Sequence, residues 1–195
     1  MNNKDFTVRS YIEDMTDLFG SDSTFVSGLC IGISDKESNT RVCNISGYVI
    51  YSEDYLLNAY NVFDILDNIG ADCCIIGEAV CDADSEEFNT DFMSYNEYLE
   101  EYMEMDTIFI LDRIEVNPDF RGQGIGSFAL SKIDSVLNRR HIYPGAIYGL
   151  ASPYEHMFKD DYNDKRELLA NFYRDNGYSV HMVNDHYIIC RFPEC

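Results

Sequence analysis

Residues Ile108-Phe109-Ile110-Leu111 are apolar at four consecutive positions inside Thr107 to Val116, a run that Asn117-Pro118-Asp119 ends. A strand with one wet face alternates apolar and polar residues, whereas a strand apolar at both parities is covered on both faces. The next residues narrow the fold further. Arg121-Gly122-Gln123-Gly124-Ile125-Gly126 is a glycine-rich turn, and Ser127 to Arg140 carries Phe128, Leu130, Ile133, Val136 and Leu137 at helical spacing. A buried strand, a tight turn and an amphipathic helix in that order predict an α/β chain with a central sheet flanked by helices.

The flanking segments extend this reading. Thr24 to Ser34 and Val42 to Tyr51 are rich in β-branched and aromatic residues, and the polar stretch Asp35 to Thr40 joins them as a hairpin. Ile12, Met15, Leu18 and Phe19 suggest a short helix within Met1 to Phe19. Helices are expected over Leu56 to Ile69, Ala71 to Cys81 and Ser94 to Met105. After Pro144-Gly145, the pattern predicts a strand over Ala146 to Leu150 and a helix over Lys165 to Asn176 closed by Gly177. A final hairpin, Tyr178 to Val183 and His186 to Arg191, turns at Asn184-Asp185. With 195 residues and no internal repeat, residues 1–195 are expected to form one domain, with 55–106 as an acidic helical segment inserted on the substrate side.

Charge separates the two halves. The net charge is −21, and residues 1–107 hold 23 Asp/Glu against 4 Lys/Arg. Ser52 to Asp106 contains 16 acids and no Lys, Arg or His. Such a field repels nucleic acid and attracts cations, so a cationic substrate or partner is expected and a nucleic-acid partner is not. The seven Cys have no zinc spacing and read as reduced thiols packed like small hydrophobes. The polar start has no signal-peptide pattern, and no apolar run approaches the ~18 residues of a membrane helix. A cytoplasmic location without a membrane partner is the expectation.

The glycine-rich turn carries chemistry. Glycines permit positive φ and remove Cβ atoms, so an anion can approach the main chain closely. The free N–H groups and the dipole of a helix starting near Ser127 add donors and partial positive charge. A Walker loop would end in Gly-Lys-Ser/Thr, which is absent. A dinucleotide fold wants Gly-x-Gly-x-x-Gly and an acid after the next strand, whereas here Gly122-x-Gly124-x-Gly126 precedes a strand ending Leu150-Ala151-Ser152.

Val116-Asn117-Pro118-Asp119-Phe120-Arg121-Gly122-Gln123-Gly124-Ile125-Gly126 resembles the acetyl-CoA motif of the GNAT superfamily of N-acetyltransferases. Asn171-Phe172-Tyr173-Arg174-Asp175-Asn176-Gly177-Tyr178 is similar to the family's later helix, which ends Tyr-x-x-x-Gly-Phe. The resemblance covers roughly Asp106 to Arg191. It implies a GNAT acyl-CoA N-acyltransferase fold with acetyl-CoA as co-substrate and no metal. Main-chain groups of Ile114, Glu115 and Val116 would meet the pantetheine arm, where the strand splays from its neighbour. Arg121, Gly122, Gln123, Gly124, Ile125, Gly126 and Ser127 would hold the pyrophosphate.

In the implied mechanism a neutral primary amine attacks the thioester directly. Tyr173 would protonate the leaving thiolate. Glu115, or after it Asp112, would take the proton of the ammonium; strand parity places these two acids on opposite faces. The family's Asn seven residues before the Tyr is Arg166 here. The loop Ala151 to Asp164 reads as a substrate lid, with His156 as a contact. Homodimers are frequent in such proteins. The other reading of the same residues is a non-catalytic CoA-binding or acidic protein-interaction module on this scaffold, without turnover on any amine.

Overall fold

The computed structural model describes residues 6–15, 25–51, 62–81 and 107–193. Seven strands form one sheet: β1 (Phe6–Asp14), β2 (Val26–Asp35), β3 (Arg41–Tyr51), β4 (Thr107–Val116), β5 (Ala146–Leu150), β6 (Ser179–Val183) and β7 (His186–Arg191). Their spatial order is β1-β2-β3-β4-β5-β7-β6. Every neighbouring pair is antiparallel except β4 and β5, which are parallel. This is the mixed sheet flanked by helices that the sequence predicts.

β4 is covered on both faces, and its side chains divide between two cores. Phe109 and Leu111 join a cluster with Ile125, Ala129, Ile133, Val136, Leu137, Tyr173 and Tyr178. These come from α3 (Ile125–Leu130), α4 (Ile133–Arg139), α5 (Tyr162–Asp175) and its exit. Ile108 and Ile110 join the second cluster with Ile65, Leu66, Ile76 and Val80. Those lie on α1 (Val62–Ile69) and α2 (Ala71–Val80). Each buried Ile, Leu or Phe side chain removed from water contributes about 1.5–3 kcal/mol, so the four adjacent residues Ile108, Phe109, Ile110 and Leu111 make β4 the keel of the sheet. Cys43, Cys73, Cys81 and Cys190 are free and buried among these residues.

Three elements differ from their expected form. Phe6 to Asp14 is a strand, not part of a helix. Phe6, Val8 and Ile12 pack on the first core while Arg9, Tyr11 and Glu13 are exposed, a period of two that pairing with β2 enforces. Leu18 and Phe19 lie outside the described residues, as do 56–61 of the expected Leu56 to Ile69 helix and all of Ser94 to Met105. The helix expected over Ser127 to Arg140 starts at Ile125 and is interrupted at Ser131-Lys132. There the Ser131 hydroxyl donates to the Phe128 carbonyl (2.7 Å), and the Lys132 amide bonds three residues back, to Ala129. α5 begins at Tyr162, three residues before Lys165.

Two irregularities in β4 shape the surfaces beside it. Only Ile108 to Leu111 pair with β5 among the described residues, and β5 itself ends at Leu150, so Asp112 to Val116 has no β5 partner. Against β3 the register shifts: Gly47 faces Leu111 and Ser46 faces Arg113, leaving Asp112 as an extra residue. Gly47 permits this β-bulge, because a Cβ there would collide with the Ile110 carbonyl and the Phe109 ring.

Candidate functional site

The glycine-rich turn leaves β4 through a short 3-10 turn, Pro118–Phe120, which the Asn117 side chain caps by accepting from the Asp119 amide at 3.1 Å. Gly122 and Gly124 have φ of +72° and +76°. A Cβ on Gly122 would meet nothing within 4 Å, so the turn is open on that side and its glycine answers to backbone conformation, not crowding. Gly126 serves packing: its Cβ would stand 3.0 Å from the Phe172 ring, so the bare Cα lets α5 lie against α3. The first intrahelical bond of α3 runs from the Phe128 amide to the Gly124 carbonyl (3.0 Å). The amides of Ile125, Gly126 and Ser127 precede it at the helix start, where N–H groups have no partner within the helix.

Arg121 is already engaged. Its Nε donates to the Val116 carbonyl (3.0 Å), and its two terminal nitrogens grip Glu155 at 2.6 and 3.0 Å. That pairing holds the Glu155 carboxyl below its ordinary range. One residue earlier, the Tyr154 ring lies 4.5 Å from the Arg113 guanidinium. The loop after β5 is thus fastened at two points to β4 and the glycine turn. His156 turns to Asp161, its Nδ1 2.9 Å from the carboxylate.

Beside the second half of β4 lies a groove of about 740 Å³, lined by residues of β1 to β4 that include Ser46, Asp112, Arg113 and Glu115. Asp112 and Glu115 therefore share one groove, against the parity expectation. The bulge is the reason, since one extra residue reverses the alternation beyond it. Asp112 is half-buried and accepts the Ser46 hydroxyl at 2.9 Å. It also lies close enough to α2 to influence Cys73, whose thiol burial first, and then the Asp112 charge, push up to about 12. Glu115 is exposed and pairs with Arg113 at 3.4 Å.

Tyr173 is 4% exposed and packs edge-on against Phe172 and Tyr178, with ring centroids 5.4 and 5.6 Å away. Burial raises its pKa well above the usual tyrosine value, so the phenol keeps its proton throughout the neutral range. It shares its core with Ile125, at the start of α3, and Ala151, just past β5. Ile114 and Val116 turn their side chains into the same core. Arg166 is structural: it bonds the Asp185 carbonyl at the β6–β7 turn and lies near the Tyr187 ring. Among the described residues no three His, Cys, Asp or Glu side chains converge as a metal site would need, and no helix is long and apolar enough to cross a membrane.

No protein-family model matches the chain, and no curated protein matches it. Several solved structures are similar. PaiA N-acetyltransferase from Thermoplasma acidophilum, solved with coenzyme A, is 11% identical over 85% of this chain and 61% of its own, with a TM-score of 0.41. Arylalkylamine N-acetyltransferase 2 from Aedes aegypti is 10% identical over 88% and 74%, at 0.44. A Drosophila melanogaster polyamine N-acetyltransferase is 9% identical over 84% and 74%, at 0.43. Similarity of this size assigns neither activity nor acceptor to this chain.

Proposed function

We propose that this chain is a GNAT-type N-acetyltransferase that moves the acetyl group of acetyl-CoA to a primary amine. The observation that carries the reading is a juxtaposition. The half-strand Asp112 to Val116, unpaired by β5 among the described residues, runs directly into a turn with two positive-φ glycines and the free amides of α3. A diphosphate fits that turn because Gly122 leaves its approach open. Amides from Gly122 to Ser127 would hold it, and main-chain groups of Ile114, Glu115 and Val116 on the edge that β5 leaves unpaired would meet an extended amide-bearing arm, Arg121 yielding the Val116 carbonyl that its Nε occupies.

Acetyl-CoA supplies the thioester carbonyl and the thiolate leaving group. Asp112 accepts the proton of the entering ammonium, ahead of Glu115, because Ser46 positions Asp112 while Arg113 already pairs with Glu115. That reverses the order expected from sequence. Tyr173 donates its phenolic proton to the departing sulfur, and its burial excludes water from the transfer. The acid-only stretch Ser52 to Asp106 supports a protonated, cationic acceptor that the surface charge draws in.

The test is a thermal-shift titration with acetyl-CoA followed by free-thiol release across an amine panel, on the wild type and on Asp112→Asn. Expected are a saturable rise in melting temperature, amine-dependent thiol release, and a fall of about 10²-fold or more in turnover for Asp112→Asn with acetyl-CoA affinity kept. Binding without thiol release on any amine would replace this reading with a CoA-binding module.

A further inference from the structure

The groove beside Asp112 holds cations that acetyl transfer does not require. Its lining includes Arg9, Arg41 and Arg113, with Gly32 and Asn44 between them. Only four Lys or Arg occur in residues 1–107 against 23 acids, yet two of those four, Arg9 and Arg41, stand here. The strand registers explain the convergence. Arg9 faces Gly32, Gly32 faces Asn44, and Asn44 faces Glu115, one row across four strands. Arg41 folds over the bare Cα of Gly32, where any Cβ would collide with its guanidinium, and donates to the Asn44 side chain at 2.7 Å. Arg113 has Glu115 as its partner, whereas neither Arg9 nor Arg41 is ion-paired to a described residue.

We infer that this part of the groove binds an anionic group of the acceptor, so that the substrate is an amine bearing a carboxylate or phosphate. This rests on the acetyl-transfer reading, which places the amine at Asp112. Arg41, lying over the Gly32 Cα, and Arg9, opposite Gly32 on the neighbouring strand, neither ion-paired to a described residue, offer two guanidiniums to an oxyanion. The strand spacing sets the length of the acceptor. Gly32 lies on β2 opposite the row that ends at Glu115, so Asp112 is two strand steps of about 4.8 Å across and about three residues of about 3.3 Å along, roughly 14 Å between main chains. With each end of the acceptor about 2.8 Å inside its partner, amine and anion are separated by roughly 8 Å, which several bonds must span and which an α-amino acid does not reach. Long-range attraction of the ammonium by the acidic surface and local binding of the anion by Arg9 and Arg41 together select an amphoteric acceptor over a polycation.

The experiment compares ω-amino acids from glycine to 6-aminohexanoate with n-alkylamines of matching length, together with O-phosphoethanolamine, by thiol release. Calorimetry measures 5-aminovalerate binding to the protein saturated with CoA. The variants are Arg9→Gln, Arg41→Gln and Gly32→Ala; the last keeps the charge and displaces Arg41. None of the three positions belongs to either core, and acetyl-CoA thermal shifts report that the fold and cofactor binding persist.

Expected is a preference for the longer amino acids over their alkylamines, reduced about tenfold to a hundredfold in kcat/KM by each arginine substitution, the range of one charged hydrogen bond. Alkylamine turnover should be unchanged in the same variants. Equal use of both series, or variants that leave 5-aminovalerate turnover and binding intact, would overturn the inference while leaving acetyl transfer standing. If no amine is acetylated, transfer itself fails, and the calorimetry alone decides: binding lost in Arg41→Gln supports an anion site, and binding retained refutes it.

Discussion

Two neighbouring buried tyrosines should respond in opposite ways to loss of the same atom. Tyr173 and Tyr178 are 4% and 3% exposed, and their rings pack edge-on 5.6 Å apart. The Tyr178 hydroxyl is buried with no hydrogen-bond partner. Arg191 acts on the phenol only as a weak neighbour: it lies 5.1 Å from the ring centroid, its terminal nitrogens bind Asp134 at 2.6 and 2.8 Å, and its buried Nε, like the hydroxyl, makes no bond of ordinary geometry. An unsatisfied buried hydroxyl costs about 1–3 kcal/mol, so Tyr178→Phe, after the small void left by the oxygen, should stabilise the protein by about 1 kcal/mol. Turnover should be unchanged. Tyr173→Phe removes the proposed proton donor, and a positioned general acid contributes about 10²–10⁴-fold. Its kcat should fall by that range while the KM for acetyl-CoA holds, because the acid touches the sulfur only as it departs. Urea unfolding at constant m-value measures the first effect, and thiol release at saturating amine the second. Full turnover in Tyr173→Phe, or a comparable loss in Tyr178→Phe, would refute the assignment of the acid; a destabilised Tyr178→Phe would refute the account of its hydroxyl.

The backbone and the thiols give two further outcomes. Gly122→Ala places an L-residue at φ +72° with no steric neighbour, so the cost is conformational, about 1–2 kcal/mol; it should lower the urea midpoint and weaken acetyl-CoA binding by about tenfold as the turn relaxes. Unchanged calorimetric affinity would separate the turn from the diphosphate. Stability should also fall above pH 9. Burial pushes the Cys43, Cys73, Cys81 and Cys190 thiols from 9.0 to about 12, so the unfolded chain loses these protons first. The contribution of each group is intact below pH 9 and is lost as pH rises toward the folded value, roughly 1.4 kcal/mol per thiol at pH 10. Urea midpoints at pH 8 and pH 10 under reductant should differ, and four Cys→Ala substitutions should flatten the difference.

What could be read from the sequence was whatever the chain settles locally. β4 has the bounds that its apolar run predicts, since residues apolar at both parities admit no other environment. The glycine turn was legible for the same reason: Gly122 and Gly124 adopt a conformation that few other residues tolerate. β1 is ambiguous in sequence because the spacing of Ile12 and Met15 suits a helix, and only pairing with β2 decides for a strand. The error over Asp112 and Glu115 goes deeper. Strand parity is a local rule, yet it was broken by Gly47, more than sixty residues earlier, whose missing Cβ admits the β4 backbone and the bulge. The groove was invisible for a related cause. Arg9, Gly32, Asn44 and Glu115 become neighbours through three successive registers, none of which any one strand encodes. The sequence does hold one trace, the scarcity of cations that makes Arg9 and Arg41 two of only four in the acidic half, but that trace acquires meaning only once Arg41 is seen lying across Gly32. The turn proposed for the cofactor, one contiguous segment, is therefore legible in the sequence, and the groove proposed for the acceptor, built from four strands, is not.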